Sequence, residues 1–442
     1  MANEKITFNN GVYEGETSGG KPNGKGKYTL KSGSVYTGNF KDGKLHGKGK
    51  KAYSDGSVHE GDFVNGELQG NVKMTFKDGS SYTGGYINGK PHGKGKRIIQ
   101  FCEDCETYYE GDFVNGQSHG IGKSLGPLGD IYEGEYHHGE KRGKGKITHN
   151  NGDISEGEFF QGDLQGRGKT IFINGDVFEG KFNRGERSHG KLTYVDGDVY
   201  LGDFLFKKFH GKGKFTWADG NIYEGDWVEG KKQGKGKYTW PSGNIYEGDF
   251  TDDKRTGKGK MTYTEGFIVF YEGDFVDGDK TGKGKMKTTN GITYEGDFMN
   301  GKWHGKGKMT GPDGGSYEGD FDNDRMHGKG KLTNKSGDVF ECYFENDNMM
   351  RGRITYSDGA VYTGTFENGQ PHGKGKKTCA DGGVYEGDFS EGVFHGKGKM
   401  SYPSGSFYEG DWANGLPHGR GRVPCPDGVV REGNFVNGEI VS

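Results

Sequence analysis

Four patterns in this 442-residue chain have the residue types for chemistry, and each demands particular neighbours. Cys102-Glu-Asp-Cys105 has the spacing of a redox or zinc pair. A zinc site wants four ligands, and the sequence holds no second Cys pair of that spacing. The expectation is two reduced thiols in a longer loop. Gly122-Lys123-Ser124 and Gly168-Lys169-Thr170 resemble the end of a phosphate loop. The Gly required five residues upstream is replaced by Gln117 and Asp163, so nucleotide binding is not expected. Ten of the 14 His precede the Gly of the second half of a repeat: His46, His92, His119, His189, His210, His304, His327, His372, His395 and His418. The fourth pattern is a recurrent Gly-Lys-Gly-Lys, a candidate surface for anions. Gly, rings and paired charges supply no isolated nucleophile or base, so no enzyme, cofactor or metal site is expected.

The composition limits how such residues can be held. Gly accounts for 90 residues and Pro for only 10, so collagen is excluded. Leu, Ile, Val and Phe together make up about 17% of the chain, too little for an ordinary aliphatic core. Aromatics reach 13%, and the net charge is only −3, which argues against disorder and against a dedicated nucleic-acid binder. Five Cys, an odd and small number, fit a reducing cytoplasmic setting. The first residues show no apolar signal core, and no stretch approaches the ~18 apolar residues of a membrane span.

A 23-residue period resolves the problem. Aligned on Tyr-Glu-Gly-Asp-Phe, 19 units start at Tyr13 and end with the one at Arg431, and 14 of the 18 steps are 23 residues. Expansions occur between Tyr82 and Tyr109 and between Tyr246 and Tyr271. Such self-similarity marks a repeat architecture. One continuous array over 1–442 is expected: a half-repeat over 1–12, repeats over 13–430 and a truncated unit over 431–442.

Each unit reads as a β-hairpin. Asn300-Gly301 is a two-residue type I′ turn signal. Counting outward from it sets Phe298 opposite Trp303, Gly296 opposite Gly305 and Tyr294 opposite Gly307. On the other face Glu295 meets Lys306 and Asp297 meets His304, so these His should bond to Asp. His in successive repeats would then lie ~9–10 Å apart, too far to share an ion. The second turn, near Asp55-Gly56 or Asp78-Gly79, must hold three or five residues to keep the acids off the aromatic face. Five would align each Tyr with the next. The expected fold is all-β: an elongated single-layer antiparallel meander of about 19 tandem hairpins, a twisted rod.

Tyr294 to Lys308 and Tyr385-Glu-Gly-Asp-Phe389 through His395-Gly-Lys-Gly-Lys399 resemble the MORN (membrane occupation and recognition nexus) repeat. The resemblance implies a scaffold that binds protein partners and self-associates. It also implies a place in cytoskeletal or membrane–cytoskeleton organisation, at an acidic membrane surface, or in an axoneme of a cilium or flagellum. Local departures are Cys342 at a motif Gly, Leu68-Gln-Gly-Asn-Val72, and the shortened strands His189-Gly-Lys-Leu and Arg351-Gly-Arg-Ile.

A single-layer sheet leaves its apolar side open, so the aromatic face is the first candidate site. A peptide or helix would lie in a groove of Tyr223, Trp227, Tyr246, Phe250, Tyr294, Phe298, Trp303, Tyr408 and Trp412. Acidic phospholipid would meet Lys306, Lys308, Lys397 and Lys399. The apolar run Phe267-Ile-Val-Phe-Tyr271 is a longer hairpin or an added contact. The last strand, with Phe435, Val436, Ile440 and Val441, is an edge with few protecting charges, and a homodimer through it is expected.

Overall fold

The computed structural model describes residues 2–102, 105–426 and 428–441. Among the described residues there are 39 β-strands and no helix, and hence no helix long and apolar enough to cross a membrane. The chain divides into two units, Met1–Ala218 and Asp219–Ser442. In the first unit each strand from Ala2–Phe8 to Lys208–Thr216 pairs antiparallel with the next strand in sequence. The second unit repeats this from Ile222–Val228 to Glu439–Ile440. Each unit is an open antiparallel meander.

The turns follow from residue type. Asn300 and Gly301 have φ of 52° and 81°, the two positive values of a type I′ turn. The second turn holds five residues: Ala52 pairs with Val58 around Tyr53–Ser57, where Gly56 has φ of 96° and its N–H donates to Tyr53 O. Asp55 Oδ1 accepts the Ser57 N–H at 2.8 Å, closing an Asx turn. The odd length is what the parity argument requires, and five residues set Tyr294, Met309 and Tyr317 in one row across three strands.

The register inside the hairpin departs from simple counting. Near the turn, Phe298 faces Trp303 and Asp297 faces His304 as expected. Beyond them the ladder slips by two residues: Gly296 faces Gly307, Glu295 faces Lys308 and Tyr294 faces Met309. Gly305 and Lys306 are bulged out, with Gly305 at φ of 57°. Asp297 stabilises the bulge, since its Oδ2 accepts the Lys306 N–H at 3.0 Å. A two-residue slip preserves which face each side chain occupies. The faces inferred from sequence therefore stand although the partners change.

The bulge bends the strand and builds the core. Tyr294 and Phe298 are four residues apart, ~13 Å along a straight strand. Their ring centroids nevertheless lie 5.1 Å apart, edge to face at 89°. Phe321 of the next repeat meets Tyr294 at 5.1 Å and 90°, so the rings form a continuous edge-to-face row. The Tyr294 ring lies over the glycine pair, and a Cβ on Gly307 would come within 2.4 Å of its hydroxyl oxygen. Every unit that begins with Tyr has both glycines of this pair. Where one is lost, at Val72 and Cys342, the ring position holds His59 and Phe340.

Cys102 and Cys105, expected as free thiols, form a disulfide. They are register partners at the end of the extended hairpin, with Cα atoms 4.9 Å apart. Glu103 and Asp104 of that motif lie outside the described residues. Cys342, Cys379 and Cys425 are free.

Candidate partner-binding groove

The structure fills the aromatic face from within. Tyr223, Tyr246, Tyr294 and Tyr408 are buried, as are Trp227, Phe250, Phe298 and Trp412, all at 4% exposure or less. They form the core and are not available as groove contacts. The expectation of an open ring surface assumed straight strands, and the bend closes Tyr onto Phe. A third residue then covers the pair. Trp303 lies flat on Tyr294 at 4.5 Å and 5°. The residue in its place is Phe209 on Tyr200 at 3.8 Å, and Phe394 on Tyr385 at 3.9 Å. Arg255 covers Tyr246 at 5.6 Å and Lys280 covers Tyr271 at 5.4 Å, using cation–π contact. Trp303 is thus one of a series of lids. Sequence reasoning missed it because the lid is sometimes a ring and sometimes a cation.

Burial has an electrostatic consequence. It pushes the Tyr246 and Tyr362 hydroxyls up to about 12. Tyr294 is raised further by the same cause, with the neighbouring Asp297 charge adding to it. Its hydroxyl donates to Asp297 O at 2.8 Å, beside the bulge.

The opposite face carries an open groove. In the second unit a groove of about 2060 Å³ has a floor of glycine backbone, including Gly259, Gly284, Gly307 and Gly330. One wall alternates Glu and Lys: Lys285 sits between Glu272 and Glu295, and Lys308 between Glu295 and Glu318. The other wall sets Lys against Asp of the next strand. Lys258 Nζ lies 2.6 Å from Asp274 Oδ1, Lys283 2.6 Å from Asp297 Oδ1 and Lys306 2.5 Å from Asp320 Oδ1. Long charged side chains rise on both sides of residues that have none, and this makes the trough.

Three of the four lysines expected to meet lipid are engaged with acids. Lys306 pairs with Asp320, Lys397 with Asp411, and Lys399 lies 3.6 Å from Glu409. Lys308 faces Glu295 and Glu318 in the ladder. The His expectation holds at His189, whose Nδ1 lies 2.7 Å from Oδ1 of Asp203 across the ladder, and is corrected at His304. His304 Nδ1 meets Asp322 at 3.3 Å, because the Asp297 carboxylate is taken by the bulge N–H and by Lys283. Among the described residues no cluster of His, Cys, Asp and Glu could hold a metal ion.

At the last hairpin Phe435 faces Ile440 and Val436 faces Glu439. Phe435 is buried against Tyr408 at 4.9 Å, whereas Val436, Ile440 and Val441 are exposed. In the expansion before Tyr271, the strand Ile268–Val276 is lengthened and Phe267 is exposed.

One constellation was not anticipated. Ser155 Oγ lies 3.1 Å from His149 Nε2, and His149 Nδ1 lies 4.0 Å from Asp130 Oδ1. The second distance is too long for a hydrogen bond, and Asp130 Oδ1 already accepts the Asn150 N–H at 2.9 Å. Ser155 is buried beside Thr170, 2.9 Å away, at the position that holds Tyr in most units. The pair fills a gap in the ring row. The signal in the sequence was the missing Tyr.

The MORN repeat model matches seventeen segments, from 13–35 to 408–430. The chain belongs to the MORN-repeat family. The match passes over residues 340–361, between 317–339 and 362–384. That segment still forms the paired strands Val339–Glu345 and Asn348–Thr355. No curated protein sequence matches the chain. Among solved structures it is similar to the TCP domain of Drosophila melanogaster SAS-4 in complex with a proline-rich motif of Ana2. The identity is 14%, with 40% of this chain and 85% of that one covered, at a TM-score of 0.22. The TCP10 domain of Danio rerio CPAP gives 14% identity, covering 55% and 99%, at a TM-score of 0.21. Likeness at this level carries no argument about partners.

Proposed function

We propose that this MORN-repeat array is a non-enzymatic scaffold that receives an extended segment of a protein partner in the glycine-floored groove of its second unit. The observation that carries this reading is the contrast between the two faces. The aromatic face is closed by its own lids, while the charged face keeps an open trough several repeats long. Glycine lets a partner backbone approach the sheet closely, and flanking charges set its register. The acidic-lipid reading has less support, since groove lysines are matched by acids and the wall potential is mixed.

The test is affinity capture from native cells with the full chain and with Lys260→Glu, Lys285→Glu and Lys308→Glu combined. The partner recovered by the wild type should be lost from the variant. Equal recovery would move the partner to another surface.

A further inference from the structure

The walls of the groove are balanced except at one place. Along the outer wall each Lys faces an Asp of the following strand, up to Lys306 and Asp320. The next two rungs break this rule. Lys329 faces Tyr343, and Arg351 faces Thr365. On the inner wall Arg353 faces Thr363 where a Glu stands in most other rungs, and Glu341 is the acid left beside it. Regular pairing resumes at Lys374, 2.6 Å from Asp388 Oδ1. Among the described residues no ion pair within 4 Å joins Lys329, Arg351 or Arg353 to a carboxylate.

Three further observations converge on this stretch. All three cations are exposed. Lys329, Arg351, Thr363 and Thr365 line the same groove. Arginine replaces the usual lysine twice, which supplies forked donors suited to oxyanions. In the first unit, Thr37 and Asn39 replace the two acids of one strand. There the adjoining repeats keep theirs, Glu14 and Glu16 on one side and Glu60 and Asp62 on the other; Thr83 and Gly85 replace both acids of another strand, again between repeats that keep theirs, Glu60 and Asp62 and Glu110 and Asp112. Only near residue 343 do successive outer rungs lose the acid, and residues 340–361 form a whole repeat that the family model passes over.

We propose that Lys329, Arg351 and Arg353, with the hydroxyl of Thr363, form an oxyanion-receiving site that anchors an acidic segment of the partner. This rests on the groove reading above and names the chemistry of its occupant. Lys329 and Arg351 stand two strands apart, ~10 Å, which is about three residues of a chain in the polyproline II conformation, whose side chains return to the same side every third residue. The matching ligand carries carboxylates, or phosphorylated side chains, at every third position.

The experiment uses the full chain and fluorescence anisotropy. The probe is a labelled Gly/Ser peptide with Glu at every third position, compared with the same peptide carrying Gln or phosphoserine there. The Glu peptide should bind, more weakly as salt rises, and the Gln peptide should not. Tyr343→Asp with Thr365→Asp restores the rungs found elsewhere at two exposed positions and should weaken binding about tenfold or more. Arg351→Gln should act in the same direction. Stronger binding of the phosphoserine peptide would identify phosphate as the preferred oxyanion and support the site. Equal binding of Glu and Gln peptides, or no effect of the restored rungs, would overturn it. So would capture by phosphatidylserine vesicles without peptide binding. If the Lys260, Lys285 and Lys308 reversal abolishes native partner capture but the restored rungs do not, this site fails while the groove stands. If neither variant affects capture, the groove reading fails first.

Discussion

The hydroxyl of Tyr294 donates to the backbone carbonyl of Asp297 at 2.8 Å, across the bend that its own ring covers. One residue therefore supplies the core ring and ties down the kink that lets the core form. Tyr294→Phe should keep the ring and lose the tie, lowering stability by about 1 kcal/mol in urea unfolding. Phe178 occupies the same position in its unit with both glycines retained, so the fold should persist.

The lid and the ring beneath it should behave differently. Phe298 is buried, and Phe298→Ala should cost about 3 kcal/mol or more. Trp303→Lys puts into this repeat the residue that Lys280 supplies in the one before, and should cost less than about 1 kcal/mol. Comparable losses from the two changes, measured by thermal unfolding, would contradict the lid assignment.

The glycine under the ring has no room to grow. A Cβ on Gly307 would lie 2.4 Å from the Tyr294 hydroxyl oxygen and 2.5 Å from its Cε2. Gly307→Ala should destabilise by about 2 kcal/mol, since a fully buried ring must move. In the Tyr294→Phe background the loss should be smaller, because the hydroxyl is the nearest obstacle. A double-mutant cycle reads that coupling.

Asp297 should matter more as an acceptor than as a charge. Its Oδ2 accepts the bulge N–H of Lys306 at 3.0 Å. Asp297→Asn keeps an acceptor there, while Asp297→Ala removes it and should cost about 1 kcal/mol more in chemical denaturation.

The buried phenols set an alkaline limit. The unfolded hydroxyl loses its proton near 10, whereas Tyr109, Tyr246 and Tyr362 are held at about 12 by burial. The raised folded value means that the contribution is complete below pH 10. It is lost as pH rises from about 10 to about 12, where the unfolded chain gains from ionising first. Stability should fall across that window, and phenolate absorbance should rise late and together with loss of β-sheet circular dichroism.

Much of this is legible in the sequence. Asn300-Gly301 declared its turn, because only a positive-φ pair closes a two-residue hairpin. The parity of Glu60 and Asp62 limits the second turn to an odd length, three or five, and only the fold decides for five. The bulge was not legible, because Gly305 looks like Gly307 in the sequence and only the three-dimensional bend distinguishes them. Missing the bulge misplaced the partners of Glu295 and Asp297. It also left the ring face open, so residues such as Tyr294 and Trp227 were read as binding groups when they are core. The charge break was hidden for a related reason: Tyr343 and Thr365 become neighbours of Lys329 and Arg351 only once the five-residue turns fix the ladder.

The stretch around Tyr343 has a consequence for positional information. A surface that repeats itself every hairpin offers a bound chain a row of equivalent wells, and such a chain can slide by whole periods with no change in energy. Regularity gives avidity but no address. A defect removes the degeneracy, as a single altered tooth fixes where a rack can lock. In an array this regular, the imperfect hairpin is the one that tells a partner where it is.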